Sequence, residues 1–210
     1  MASAFLIGLE IPKRVIDKTK KLKRFVADSL GEQHEVNTEP HITLNINNFD
    51  SVDAIDKTLE ETCAKFKQMH ISLEGISIFP RKSGESAIVH ESVEPKSQLR
   101  KLQRAISIAV NPFRVGENVK EYYDEKPSMG TLTIQQLKTS KRYGYPFIGS
   151  TWTPHLTIAI VDGDKFEDIK EAIMARSFID SFLLRKITLF YFDHDIQNWK
   201  PLKKYNLIKQ

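Results

Sequence analysis

Cysteine is nearly missing from this chain: Cys63 is the only one in 210 residues. An intrachain disulfide is therefore excluded, and so is a zinc site built from several thiolates. A reducing compartment, the cytoplasm, is the expected setting. Long apolar runs are missing too. None approaches the roughly 20 residues a bilayer helix needs, so no membrane partner is expected. The opening stretch, Met1-Ala2-Ser3-Ala4-Phe5-Leu6-Ile7-Gly8-Leu9, lacks a basic head and breaks off at Glu10. It reads as a strand rather than a signal peptide. No segment is rich enough in Gly, Ser or Pro to divide the chain into independent domains. Charge of either sign is scarcely in excess: 31 Lys+Arg stand against 27 Asp+Glu, a net +4. That permits an anionic partner without naming one. What is present is ordinary globular material, 40% hydrophobic and 28% charged, enough to bury a core and too apolar for disorder.

Periodicity orders this material into alternating strands and helices. Residues 4–9 read as a buried strand. Val15, Ile16, Leu22, Phe25, Val26 and Leu30 recur at helical spacing, with Gly31 as the stop. The opposite face, Lys13, Arg14, Lys18, Lys20, Lys21, Lys23 and Arg24, reads as a solvated basic face. A strand follows at 41–46. A helix with Asp50 as its N-cap comes next, burying Val52, Ile55, Leu59, Cys63 and Phe66. Strands at 71–79, with a bulge at Gly75, and at 87–90 form a hairpin across a turn at 81–84. Pro95 opens another helix. Residues 111–150 are irregular, with one strand-like run at 131–134. Order returns as a strand at 155–160, a helix at 165–176, a strand at 182–192 and a short strand at 204–208. This alternation predicts an α+β or α/β sandwich.

One motif rises above composition. Residues 40–44 read Pro-His-Ile-Thr-Leu, and residues 154–158 read Pro-His-Leu-Thr-Ile. A shuffled sequence with nine Pro, six His and twelve Thr would show Pro-His-x-Thr about 0.015 times. Two copies, each followed by a loop and an amphipathic helix, mark an internal duplication. In a strand, His41 and Thr43 share one face, roughly 7 Å apart, while Ile42 and Leu44 face the other way. His155 and Thr157 repeat that arrangement against Leu156 and Ile158. If the two units pack about a pseudo-two-fold axis, two imidazoles and two hydroxyls meet in one cleft. Such a set suits displacement at phosphorus. A neutral imidazole removes a proton from the nucleophile and a protonated one supplies the leaving oxygen. The threonine hydroxyls donate hydrogen bonds to phosphate oxygens. The repeat contains no carboxylate, so it calls for no metal and no cofactor.

Two H-x-T motifs, each in an apolar strand and each followed by a helix, resemble the two-histidine (2H) phosphoesterase superfamily, including its RNA ligase/cyclic phosphodiesterase-like members. The resemblance runs from the strand at 5–9 through both motifs to the closing strand near Trp199. It implies a bilobal α+β sandwich in which two antiparallel-sheet lobes flank a central groove. It also implies metal-independent cleavage at a 2′,3′-cyclic phosphate, a 2′,5′-linkage or an RNA 3′ end, with His41, Thr43, His155 and Thr157 as the catalytic set. The expected organisation is one bilobal unit over residues 1–210, with an insertion at about 111–150. Residues 138–147 within it, Lys-Thr-Ser-Lys-Arg-Tyr-Gly-Tyr-Pro-Phe, pair cations with aromatics. Lys141, Arg142, Tyr143, Tyr145 and Phe147, with Trp152 just beyond, are therefore the candidate substrate-binding residues. The expected partner is an RNA or nucleotide substrate, and the expected state is a monomer, since the duplication supplies the two-fold partner within one chain. The alternatives are an RNA-binding module without turnover, a 2′-5′ RNA ligase, and a hydrolase of cyclic dinucleotides or ADP-ribose cyclic phosphate. His194, between Asp193 and Asp195, reads as an exposed turn before a metal site.

Overall fold

A computed structural model describes residues 3–80, 86–116 and 132–209. The strands β1 (Ser3–Leu9), β2 (Thr43–Phe49), β7 (Lys186–Asp193) and β8 (Asn198–Asn206) form one antiparallel sheet in the order β2-β1-β7-β8. The strands β3 (Met69–Pro80), β4 (Ser86–Glu94), β5 (His155–Asp162) and β6 (Asp180–Leu184) form a second, in the order β5-β4-β3-β6. Each sheet carries one motif strand at its edge, β2 in the first and β5 in the second. Among the described residues five α-helices complete the α+β fold: α1 (Lys13–Leu30), α2 (Val52–Cys63), α3 (Lys96–Val110), α4 (Ile134–Tyr143) and α5 (Gly163–Met174).

The duplicated unit is visible as β2-α2 and β5-α5. The helices α2 and α3 cover the first sheet, where Ile55, Leu59, Leu99 and Leu102 join Ile7, Leu9, Ile42 and Leu44 in one core. That core continues onto Ile71, Leu73, Leu156 and Phe182 of the second sheet. A smaller core, with Leu22, Val26, Ile158, Phe166 and Ile169, lies under α1 and α5. Thus α1 follows a strand of one sheet yet packs on the other lobe.

Local chemistry sets the ends of these elements. Gly31, at φ 74, ends α1, and its N–H bonds to the Ala27 carbonyl. The N-cap of α2 is Ser51 rather than Asp50, its hydroxyl accepting from the Ala54 N–H at 3.3 Å. The bulge expected at Gly75 is present as a register shift between Leu73 and Ile76. Three expectations change. The run at 182–192 is two strands of different sheets, broken at Arg185, whose carbonyl accepts from the Leu207 N–H at 2.8 Å. The strand-like run ending at Ile134 instead opens a helix, because Thr133 and Gln136 form a reciprocal capping box. The last strand starts at Asn198, earlier than its apolar residues suggest, because it pairs along the whole of β7. The turn expected at 81–84 lies outside the described residues.

Candidate active site

The two Pro-His-x-Thr segments are built alike. Pro40 and Pro154 are buried, and each holds the residue before it in extended backbone. That places a carbonyl beneath the following imidazole. His41 Nδ1 lies 2.7 Å from the Glu39 carbonyl oxygen, and His155 Nδ1 lies 2.8 Å from the Thr153 carbonyl oxygen. A carbonyl only accepts, so Nδ1 carries a hydrogen in both rings. The nitrogen able to accept or release a proton is then Nε2 in both. Ile42, Leu44, Leu156 and Ile158 are fully buried toward the helices, whereas His41, Thr43, His155 and Thr157 are half-buried on the opposite face. His41 itself lies in the lead-in, since β2 starts at Thr43, while His155 is the first residue of β5.

The imidazoles share one electrostatic environment. Burial holds His41 below the ordinary histidine range, against the opposing influence of the Glu35 carboxylate and the Glu39 carbonyl bond. Burial also holds His155 down, and the positive charge of His41 adds to this. The Phe79 ring stands edge-on to His155 with centroids 5.9 Å apart. The two motif histidines are thus near enough for the charge of one to weigh on the other.

Strand register identifies a floor that the sequence reading missed. Thr43 pairs with Gly8, and Gly8 pairs with Thr188; one pleat further on, Leu6 pairs with Phe190. Phe192 follows on the same face and pairs with Trp199, their rings 5.2 Å apart and steeply inclined. Gly8 has a packing reason: a Cβ there would lie 3.0 Å from the Ile42 carbonyl and 3.4 Å from the Phe190 ring. A cavity of about 370 Å³ opens on this face, bounded by Glu39, Pro40, Thr188, Phe190, Trp199 and Lys200.

The substrate-binding candidates of residues 138–152 divide in two. Lys141 and Arg142 are exposed in the last turn of α4, and the Arg142 guanidinium lies 5.1 Å from the centre of the half-buried Tyr143 ring. Tyr145 and Trp152 are buried, with Tyr145 edge-on to Phe147 at 5.7 Å. The latter group lines the outer edge of β2. Asn47 Nδ2 donates to the Tyr143 carbonyl at 3.1 Å, and Gln103 Nε2 donates to both the Leu44 and Phe147 carbonyls. The Trp152 indole N–H donates to the Thr43 carbonyl at 3.0 Å. Side chains thus close an edge that would otherwise expose unpaired backbone groups. Trp152, only 2% exposed, joins the lead-in of the second motif to the backbone of the first. Its ring offers no face to a base.

The basic face of α1 is also changed. Lys13 pairs with Asp17, Arg14 and Lys18 both pair with Asp180, and Lys20 pairs with Glu39. Lys23 is not on a solvated face at all; it is buried, and its spacing from Val15, Thr19, Leu22 and Val26 is the signal that places it on the inner stripe. Of the turn around His194, Asp193 pairs with Lys200 at 2.6 Å and accepts from the Asp195 and Ile196 N–H groups. No group of His, Cys, Asp and Glu suited to holding a metal ion occurs among the described residues.

Known proteins share this fold. The family model of the 2′-5′ RNA ligase superfamily matches residues 12–196. The chain belongs to this superfamily, the 2H phosphoesterases, whose membership carries phosphodiesterase-type activity in general terms. Among solved structures it is similar to TT0787 of Thermus thermophilus, at 13% identity and a TM-score of 0.58, covering 99% of this chain and 98% of that one. It is similar also to E. coli LigT complexed with 3′-AMP, at 13% identity and a TM-score of 0.51, covering 98% of each chain. E. coli LigT complexed with ATP gives 12% identity, a TM-score of 0.53 and complete coverage of both chains. At such identities the likeness shows the fold. No curated protein matches the sequence. No helix among the described residues is long and apolar enough to cross a membrane.

Proposed function

We propose that this chain is a metal-independent phosphodiesterase acting on a nucleotide or RNA-end phosphodiester: a 2′,3′-cyclic phosphate, a 2′,5′-linkage or an RNA 3′ end. The observation that carries the reading is the repeated latch, in which each motif histidine is fixed through Nδ1 to the carbonyl two residues before it. Two imidazoles of fixed tautomer can serve one displacement, one as base and one as acid, each through Nε2. Thr43 and Thr157 are assigned to the non-bridging phosphate oxygens, where their hydroxyls oppose the charge that develops as the bond to the nucleophile forms. The aromatic floor of Phe190, Phe192 and Trp199 supports a substrate with a stackable base. The 3′-AMP and ATP complexes of LigT support the same class of ligand. Lys141 and Arg142, exposed at the end of α4, are available to further phosphates of a longer strand. Cys63 is buried, which pushes its thiol up to about 12 and keeps it unreactive; a cytoplasmic monomer is part of the same proposal.

Ligation is a second reading, favoured by the family description: a 2′-5′ RNA ligase would run the same proton transfers toward bond formation. A single panel tests both. The purified protein is incubated in EDTA with 2′,3′-cyclic mononucleotides, 2′,5′- and 3′,5′-oligonucleotides, cyclic dinucleotides, ADP-ribose cyclic phosphate and nicked tRNA, and products are resolved by chromatography. Turnover of a nucleotide phosphodiester that is abolished in the His41→Ala/His155→Ala double variant is the expected result. Full activity in that variant, or none in the wild type, would sink the proposal.

A further inference from the structure

A buried lysine and a carboxylate behind the first histidine have no part in the chemistry described so far. Lys23, 4% exposed on the inner face of α1, donates from Nζ to the backbone carbonyl of Glu35. Glu35 has φ 69, in the left-handed region that a residue with a β-carbon enters only when its surroundings impose it. The segment around it is tied down on both lobes. The Ile160 N–H of β5 donates to the His34 carbonyl at 2.9 Å, and Val36 is buried in the smaller core. On the other side, Asn198 accepts from the Glu39 N–H at 3.1 Å and donates to the Asn37 carbonyl at 2.9 Å. Residues 34–39 therefore form a strap from the strand of one motif histidine to the lead-in of the other. The strap carries two carboxylates, Glu35 and Glu39, six and two residues before His41.

The charged groups that act on His41 come from three elements. Glu35 and Glu39 are the acids, and Lys23 and His155 are the cationic or titratable neighbours. Glu39 is already paired with Lys20 at 2.7 Å. Among the described residues, no lysine or arginine is ion-paired to Glu35; its carboxylate oxygen is 3.6 Å from His34 Nδ1. Resting on the two-histidine reading above, we propose that Glu35, set in place through Lys23, is a positioning residue that makes His41 the proton donor and leaves His155 as the base. The electrostatics agree in sense. Burial presses both imidazoles toward neutrality, but Glu35 is the strongest opposing influence at His41 and the weakest at His155. Burial likewise works against the Glu35 carboxylate, yet His41, His34 and Lys23 together hold it below the usual range and so ionised.

For a 2′,3′-cyclic phosphate the step balances as follows. Water oxygen bonds to phosphorus while one of its protons passes to His155 Nε2. The bond from phosphorus to one ribose oxygen breaks, and that oxygen takes the proton from His41 Nε2. One imidazolium is consumed and one is formed, and exchange with solvent restores both.

The test has a kinetic arm and a titration arm. In Glu35→Gln the alkaline limb of the kcat/KM profile, which reports loss of the His41 proton, is expected to fall by about one pH unit. The acidic limb should move less, so the bell narrows, and Glu35→Asp should recover part of the shift. With uridine 3′-(p-nitrophenyl phosphate), cleaved by attack of its own 2′-hydroxyl, the roles reverse: His41, beside the ribose oxygen, is the base and His155 serves the leaving group, which here needs no proton, so His155→Ala should regain much of its lost rate and His41→Ala should not. Imidazole titrations followed by NMR should show His41 losing its proton at lower pH in Glu35→Gln, with His155 less affected. Thermal melts show whether that variant is folded, and Glu35→Ala, which removes the carboxylate by a different truncation, gives a second variant expected to narrow the bell in the same sense. Limbs that stay in place while the rate falls at every pH, or rescue of His41→Ala instead, would overturn the assignment. A wild type without turnover on any substrate would overturn the enzymatic reading alone, because the NMR titration still decides the effect of Glu35 on His41.

Discussion

Each motif histidine owes its orientation to the residue two places before it, and this makes the pair testable one residue at a time. Under the proposed chemistry, replacing either imidazole by alanine removes a general acid or base, so kcat should fall by about 10²–10⁴. Thr43→Val and Thr157→Val should each cost less, since each removes one hydrogen bond to the phosphate; steady-state rates on the best substrate of the panel check both. Because burial holds both imidazoles below the ordinary range, the base remains unprotonated as pH falls. The acidic limb of the profile should therefore lie below the pKa of about 6.5 expected of a free histidine. A pH titration of kcat/KM that places this limb above 6.5 would contradict the burial argument. Lys23 provides a stability counterpart. Burial lowers its ammonium to about 8 in the folded state, against about 10.4 in an open chain. Between those values the unfolded chain binds more protons than the folded one, so this residue's contribution to stability rises with pH. The full change is about 3 kcal/mol. Cys63 and Tyr205, both raised by burial, act in the opposite sense toward the alkaline end of this range and beyond it. The comparison that isolates the lysine is thus urea unfolding of wild type against Lys23→Met at pH 7, 9 and 10. The variant should gain relative stability at pH 7 and lose that advantage by pH 10.

At the scale of elements, helices were the most legible, because α1, α2 and α5 each show an apolar stripe of helical period whose buried members match the spacing. The two motif strands were legible because they repeat. What was hidden follows from physical causes. Residues 182–192 look like a single strand because β6 and β7 are both apolar, and nothing local announces that the chain changes sheets at Arg185. The aromatic floor was hidden because it depends on the β1–β7–β8 register, which joins residues nearly 200 positions apart. Aromatics between residues 143 and 152 drew attention by their nearness to His155 in sequence, but most of that segment serves the edge of β2. Its anchoring predicts the effect of one substitution. Gly144 ends α4 at φ 70, and a Cβ there would collide with both Arg114 Cδ and Asn47 Oδ1. Gly144→Ala should cost about 1–3 kcal/mol in strain alone. It should also loosen the bond from Trp152 to Thr43, so that the melting temperature and kcat fall together. A variant with wild-type melting behaviour would show that the segment adjusts without cost.

The chain as a whole is duplicated without being divisible at its midpoint. The first sheet takes β1 and β2 from the start of the chain and β7 and β8 from its end, whereas the second takes β3 and β4 from the first half and β5 and β6 from the second. Helix α1 crosses to the lobe of the second sheet, and α3 returns to that of the first. The larger core runs unbroken from Ile7 and Leu44 through Leu99 to Leu73 and Leu156. Each motif therefore depends on strands from the other half: β2 is held by β1, which needs β7, and β5 is held by β4. Such a topology should unfold as one cooperative unit. Native-state hydrogen exchange measures this directly. Amides of β1, inside the first sheet, and of β4, inside the second, should open with the same free energy and the same denaturant dependence, equal to those of global unfolding. Fragments 1–116 and 132–210 should each be unfolded alone, because the first lacks β7 and β8 of one sheet and both edge strands of the other, and the second lacks β1 and both central strands, β3 and β4. Mixed together, they should recover structure and phosphodiesterase activity in a concentration-dependent way, since the site needs His41 from one and His155 from the other. A folded isolated fragment, or a β4 amide that opens well below the global free energy, would mean that the lobes are energetically separate. The cleft would then be an interface between two units rather than a product of one core.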